Sequence, residues 1–208
     1  MEKAEAKCKP VLLGLFSGTG SIGKAFRVQG WGVVSVDIDP SAQADITMDI
    51  MLFEVSKIGA IDAIWASPPC TSYSMANRSK VNLTNSDELV KKTLSIAEEV
   101  GCPFFVENPW TGQLKTRGLL DHLKMHRVDY CKYGMPYRKR TAIWTNTDWK
   151  PSRPLCAYDC AATIGKKHSS RAQQGPPGVR YTQRQLYVIP DALCEEIADF
   201  VNETTCLY

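Results

Sequence analysis

The chain has 208 residues, 44% hydrophobic and 23% charged, with a formal net charge of +3. This composition excludes a disordered or fibrous chain and is ample for one domain with its own core. No run approaches the roughly 18 apolar residues of a membrane span, and MEKAEAKCKP does not read as a secretory leader. The expectation is therefore a soluble intracellular protein of the cytoplasm or nucleus (a host cell's, for a viral gene), with no membrane partner and its eight cysteines reduced. In chain order, PVLLGLF at residues 10–16 is an apolar run closed by a glycine turn, the pattern of a strand buried on both faces. After SGTG, Ile22, Ala25 and Phe26 mark a short helix that stops at Gly30, and GVVSVDID supplies a second strand ending in acids. IDAIWAS gives another buried strand. A helix follows, with Asn85 as its predicted N-cap, Glu88 three residues on, and Leu89, Val90, Ile96 and Ala97 as its apolar positions. CPFFVENP at residues 102–109 is the next strand, and HRVDYCKYG and RTAIWTNT read as strands that pair across MPYRK.

Residues 150–181 are rich in Pro, Gly, Ser, Cys and basic residues and lack either periodicity, which predicts an irregular insertion. Residues 182–208 return to a helical pattern, with Leu193, Ile197, Phe200 and Val201 in one stripe after Pro190. The alternation of strands and helices predicts a single α/β domain over residues 1–208, built on a doubly wound, mostly parallel sheet.

The net charge conceals an asymmetry. Between Lys132 and Arg184 there are eleven Lys and Arg against Asp148 and Asp159, a charge of +9, while the remainder carries 14 basic and 20 acidic residues, or −6. A basic third on an acidic body predicts one face that meets a polyanion. Lys166, Lys167 and Arg171 are the candidate nucleic-acid contacts in the insertion. In the polar stretch at residues 74–86, Arg78 and Lys80 are placed to meet phosphates as a closing loop.

Gly18, Gly20 and Gly23 have Gly-x-Gly-x-x-Gly spacing between the first strand and helix, and Asp37 ends the next strand. Such glycines permit a tight turn and close backbone approach, the helix start offers free N–H groups, and the acid suits ribose hydroxyls. An adenosine-containing cofactor fits this pattern, and the spacing alone does not choose between a nicotinamide dinucleotide and S-adenosylmethionine. In SPPCTSYS, two prolines stop the strand ahead of Cys70 and fix where its side chain points, which makes this thiol a candidate nucleophile.

FSGTGSIG, the acid in VDID, SPPCTSYS, VENP and YGMPYRKRT stand in the same order as the main motifs of the DNA cytosine-5 methyltransferases, and the chain resembles that family from Leu13 to about Trp144. The resemblance implies the S-adenosylmethionine-dependent, Rossmann-like fold, DNA as substrate, and a target cytosine rotated out of the duplex. It also implies that Cys70 attacks C6 of the base, that Glu107 holds its N3 side, and that Arg138 and Arg140 support the intermediate. By the same similarity, Phe16, Ser17, Gly18, Gly20, Ile22, Asp37, Ile38, Asp49, Ile50 and Pro68 hold S-adenosylmethionine. The chain departs from the pattern in four places. Pro109 follows the Glu-Asn pair where an aliphatic residue is usual, Tyr137 stands near the usual glutamine, the spacing from Pro136 to the arginines is one residue short, and the usual C-terminal Gly-Asn pair is missing. The recognition region is reduced to the insertion at 150–181, and the expected state is a monomer. The alternatives are the same chemistry on RNA cytosine, a catalytically silent nucleic-acid-binding module, and a nicotinamide oxidoreductase.

Cys156, Cys160 and His168, joined by Cys131, are the only candidate metal ligands weighed. They could form a small zinc site that stiffens the insertion, but their spacing is not a paired Cys-x-x-Cys pattern, so loose cysteines and no metal are expected.

Overall fold

A computed structural model describes residues 9–74, 83–172 and 180–205. The elements are β1 (Val11–Leu15), α1 (Ser21–Val28), β2 (Gly32–Asp37), β3 (Ile46–Thr47), β4 (Ala63–Ala66), α2 (Thr84–Val100), β5 (Phe104–Pro109), β6 (Lys124–Asp129) and β7 (Arg140–Thr145). They are followed by the small strands β8 (Thr163–Ile164) and β9 (Lys167–His168) and by α3 (Gln183–Tyr187) and α4 (Asp191–Thr205).

Seven strands form one sheet in the order β3-β2-β1-β4-β5-β7-β6. The pairs among β1 to β5 are parallel, and β7 runs antiparallel between β5 and β6. Because successive strand residues face opposite sides, Leu12, Trp65 and Phe105 pack on one face with Phe26 of α1 and Leu193, Ile197 and Val201 of α4. Leu13, Ile64 and Phe104 pack on the other with Val90 and Ile96 of α2. Helices on both faces of a mostly parallel sheet are the doubly wound arrangement that the sequence predicts. Gly23 eases the approach of α1 to β2, since a Cβ there would sit 3.1 Å from Val33 Cγ1 and push that side chain aside.

Two local expectations are corrected, and one short strand is added. Leu83, not Asn85, precedes α2, and no side chain caps that helix start. The polar residue in its first turn that acts is Asp87, which is drawn instead into hydrogen bonds with Tyr73 and Arg117. β3 is only two residues long, too short for alternation to reveal. The insertion is not wholly irregular, for β8 and β9 form an antiparallel hairpin that turns at Gly165, with φ +61°. Among the described residues no helix is long and apolar enough to cross a membrane.

Candidate active site

β1 and β4 are neighbours in the sheet, yet the chain leaves them toward opposite edges, and such a reversal opens a crevice at the carboxyl ends of the strands. The loop after β1 contributes Gly18 at φ +51° and Gly20 at φ +70°, a left-handed backbone that side chains with a Cβ rarely adopt. The loop is held from below. Gly18 N donates to Asp37 Oδ2 at 2.8 Å, Asp39 N donates to Asp37 Oδ1 at 2.9 Å, and Ser17 N donates to Val36 O at 3.1 Å.

The loop after β4 is fixed from two sides. Asn108 Nδ2 on β5 donates to Pro68 O at 2.9 Å, and Trp65 Nε1 donates to Ser67 Oγ at 2.9 Å. Farther along, the buried Tyr73 hydroxyl donates to Asp87 Oδ1 at 2.9 Å, and Arg117 Nε donates to Asp87 Oδ2 at 3.1 Å. Pro68 and Pro69 thus carry Cys70 out of the sheet on a segment with little freedom.

These two loops face one cleft of about 470 Å³, lined by Cys70, Glu107 and Lys139 together with Phe16, Asp37 and Ile38. Of the expected cofactor residues, Phe16, Ser17, Gly18, Ile22, Asp37, Ile38 and Pro68 line it. Gly20 instead forms the left-handed cap before α1. Asp49 and Ile50 are not among its lining residues: Asp49 Oδ1 accepts from Met51 N at 2.9 Å to cap a single helical turn, and Ile50 is buried in the core.

Glu107 is 7% exposed and projects from β5. Its Oε1 accepts from the Tyr130 hydroxyl at 3.2 Å and lies 3.8 Å from Lys139 Nζ. Burial and the Glu107 charge push the Tyr130 phenol well above its usual range, so it stays a donor. Burial also pushes the Cys70 thiol up; the Glu107 carboxylate adds to the rise, and the Lys139 ammonium opposes it. The Cys70 thiol is therefore held toward its protonated form, and Lys139 is the group that opposes the rise.

The two expected arginines are placed elsewhere. Arg138 donates through Nη2 to Asp129 Oδ2 at 3.0 Å, and its guanidinium lies 5.6 Å from the centre of the Tyr158 ring. Arg140 is exposed at the start of β7, and neither arginine lines the cleft. The reason is alternation: in an extended segment entering a strand, neighbouring side chains point to opposite sides, so residue 139 is the one that faces Glu107. Lys139 is the residue that motif matching missed, together with Tyr130 beneath Glu107 and the wall formed by α3. Arg184 Nη1 on that helix donates to Ser41 O at 3.0 Å, and Lys139 Nζ donates to Leu186 O at 3.1 Å.

Arg78 and Lys80 lie outside the described residues. Lys166 and Lys167 are exposed at the turn of the β8–β9 hairpin, and Arg171 is exposed just beyond it. Cys131, Cys156, Cys160 and His168, read from the sequence as separate, are brought together, with their ligand atoms within 4.8 Å of one another.

Residues 12–109 match the C-5 cytosine-specific DNA methylase family. A protein of Frog virus 3 (isolate Goorha), named a probable DNA (cytosine-5)-methyltransferase, is 30% identical over 217 residues, covering 90% of this chain and 98% of its own. Among solved structures, a DNA modification methyltransferase encoded within a prophage (E. coli) superposes with a TM-score of 0.53 at 19% identity, over 66% of this chain and 46% of that one. The S. pombe Dnmt2 methyltransferase superposes with a TM-score of 0.50 at 15% identity, over 68% of this chain and 52% of that one. This chain thus spans about half the length of those two structures, which share its Rossmann-like methyltransferase fold. With the motif order, the sheet and the near full-length viral relative in agreement, the chain belongs to the C-5 cytosine-specific DNA methylase family.

Proposed function

We propose that this protein methylates C5 of cytosine in DNA, with S-adenosylmethionine as donor, through a covalent bond between Cys70 Sγ and C6 of a cytosine turned out of the duplex. The observation that carries the proposal is that Cys70 and Glu107 line one cleft with Gly18 of the loop after β1 and Asp37 at the end of β2. Its volume of about 470 Å³ falls in the range of roughly 300–1,000 Å³ usual for small-molecule sites. The lining fits the donor: Phe16 and Ile38 offer apolar surface to a purine, while Asp37 and Asp39 offer acceptors to ribose hydroxyls. Each Asp37 oxygen already holds one backbone N–H and keeps lone pairs for a second partner. When bound, S-adenosylmethionine supplies an electrophilic methyl group on a sulfonium sulfur.

The chain's own residues account for the remaining steps. Cys70 gives its proton to solvent, and its sulfur bonds to C6 while Glu107, its carboxyl first protonated from solvent, delivers that proton to N3, so that the ring electrons collect at C5. Once C5 is methylated, its proton leaves to solvent, the C5–H electron pair closes the C5–C6 double bond, the C6–S pair returns to sulfur, N3 gives its proton back to Glu107, and the aromatic ring is restored. Removing the base from the stack costs a few kcal/mol, which phosphate contacts from the basic third offset. In this reading, the segment 150–181 is a reduced recognition region that uses Lys166, Lys167 and Arg171, and the protein acts as a monomer.

The test is a duplex oligonucleotide carrying 5-fluorocytosine, which lacks the C5 proton and traps the adduct. Wild type with S-adenosylmethionine gives a denaturant-stable protein–DNA complex, and Cys70→Ala gives none. Methyl transfer to cytosine without any trapped complex overturns the covalent route, and transfer to folded RNA but not to duplex DNA overturns the substrate.

A further inference from the structure

The geometry points to a structural zinc site made by Cys131, Cys156, Cys160 and His168, which fastens the segment after β7 to the end of β6. Cys131 lies in the helical turn Tyr130–Tyr133 that closes β6, Cys156 and Cys160 come from the loop after β7, and His168 stands on β9. All four ligand atoms fall within 4.8 Å of one another, and Cys156 Sγ and Cys160 Sγ each lie 3.4 Å from His168 Nε2. Zinc bonds of about 2.3 Å to sulfur and about 2.0–2.1 Å to nitrogen, set at tetrahedral angles, separate S from N by about 3.5 Å. The two measured separations are therefore the edges of such a tetrahedron.

Hydrogen bonding does not account for the arrangement. An imidazole nitrogen carries either one proton or one lone pair, so a single Nε2 cannot serve two thiols equally, whereas a shared cation binds all three atoms. Nor does hydrophobic packing account for the order of the segment. From residue 151 to residue 172 only Cys156 and Ser170 are buried, and neither is a large apolar side chain. A segment that buries so little needs another tie, and a closed metal site with soft sulfur donors is one that these side chains can make.

The surroundings suit a zinc ion held by three thiolates, whose combined charge is −1. Arg138 and Lys132 interact electrostatically with these sulfurs. Asp129 Oδ2 accepts from Cys156 N at 3.0 Å and from Arg138 Nη2 at 3.0 Å, so one buried carboxylate orients both a ligand residue and the balancing cation. Arg138 therefore belongs to the support of this cluster. The site sets the position of the hairpin that carries Lys166 and Lys167, and it adjoins the stretch that delivers Lys139 to the cleft.

The full chain, purified from zinc-supplemented cells, is analysed for metals by mass spectrometry, then exchanged with Co²⁺ and examined in visible light. The expected results are one zinc per chain and, with Co²⁺, the intense absorption of a tetrahedral thiolate site. Cys160→Ser and His168→Asn each weaken zinc, measured against a chromophoric chelator, by at least about tenfold, while Cys102→Ser, outside the cluster, leaves it unchanged. Chelation speeds hydrogen exchange at residues 151–172 and leaves β1 and β4 protected. The proposal is overturned if the protein carries no zinc, if these cysteines are found as disulfides, or if Cys102→Ser loses metal as readily as Cys160→Ser. None of these readouts depends on methyl transfer.

Discussion

Replacing Lys139 with Met removes a charge from the cleft while keeping an unbranched side chain of similar length. In the wild type the ammonium lies 3.8 Å from Glu107 Oε1 and 4.9 Å from the centre of the Tyr130 ring, and it opposes the rise of the Cys70 thiol that burial and Glu107 cause. Two unit charges at that separation interact by about 4 kcal/mol at an effective dielectric constant of about 20. The thiolate shares the same cleft, where Lys139 already faces Glu107, so its own gain is a fraction of this, about 1–2 kcal/mol, or roughly one pKa unit. Lys139→Met is thus expected to move the midpoint of Cys70 alkylation by iodoacetamide up by about one pH unit, and to lower methyl transfer at neutral pH about tenfold. Lys139→Arg restores most of both. The assay is the alkylation rate against pH, followed by peptide mass spectrometry at Cys70. An unchanged midpoint, or one that moves down, refutes the assignment of Lys139 as the group that moderates the nucleophile.

Glu107→Gln acts on the same thiol with the opposite sign: loss of the carboxylate removes one cause of the raised value, so alkylation at Cys70 speeds up at neutral pH even as methyl transfer collapses for want of a proton donor to N3. Slower alkylation in this variant contradicts the placement of the two groups. Asp87→Asn tests the support of the nucleophile loop. Burial alone would raise the Asp87 carboxyl, but the hydrogen bonds from Arg117 and Tyr73, with the Arg117 charge, hold it below its ordinary value. A lowered carboxyl stabilises the fold above the ordinary carboxylate range and loses that effect as pH falls through the lowered value. Urea unfolding at neutral pH is expected to show a loss of about 1.5–3 kcal/mol, which shrinks at acid pH once the wild-type carboxyl has passed its lowered value and taken up a proton. An equal loss at both pH values shows that shape, not charge, is what Asp87 contributes.

Much of the site was legible because its residues carry chemistry in short, ordered motifs. Gly18 and Asp37 announce a loop and the acid that holds it, and Pro68, Pro69 and Cys70 announce a strand end with a thiol; both readings depend on local backbone geometry. Lys139 was not legible in the same way. Pairing the motif on its arginines selected Arg138 and Arg140, whereas counting from Pro136 without a gap, with strand alternation in mind, selects the lysine between them. Asp49 shows why an acid is ambiguous in a sequence: at the start of a helical turn it serves as a cap as readily as it serves a ligand. The metal cluster was hidden because Cys131 lies 25 residues before Cys156 in the chain, and only the return of the hairpin to the end of β6 closes that gap.

The wall that α3 gives to the cleft joins parts of the chain made at very different times. Arg184 grips Ser41 O across 143 residues of sequence, and Ile189 N donates to Ser21 Oγ at 3.3 Å beside the glycine loop. A nascent chain still missing these last segments already exposes Gly18, Cys70 and Glu107 outside the ribosome but has an open trough in place of a compartment. Closure of the cleft is thereby deferred until translation has passed α3.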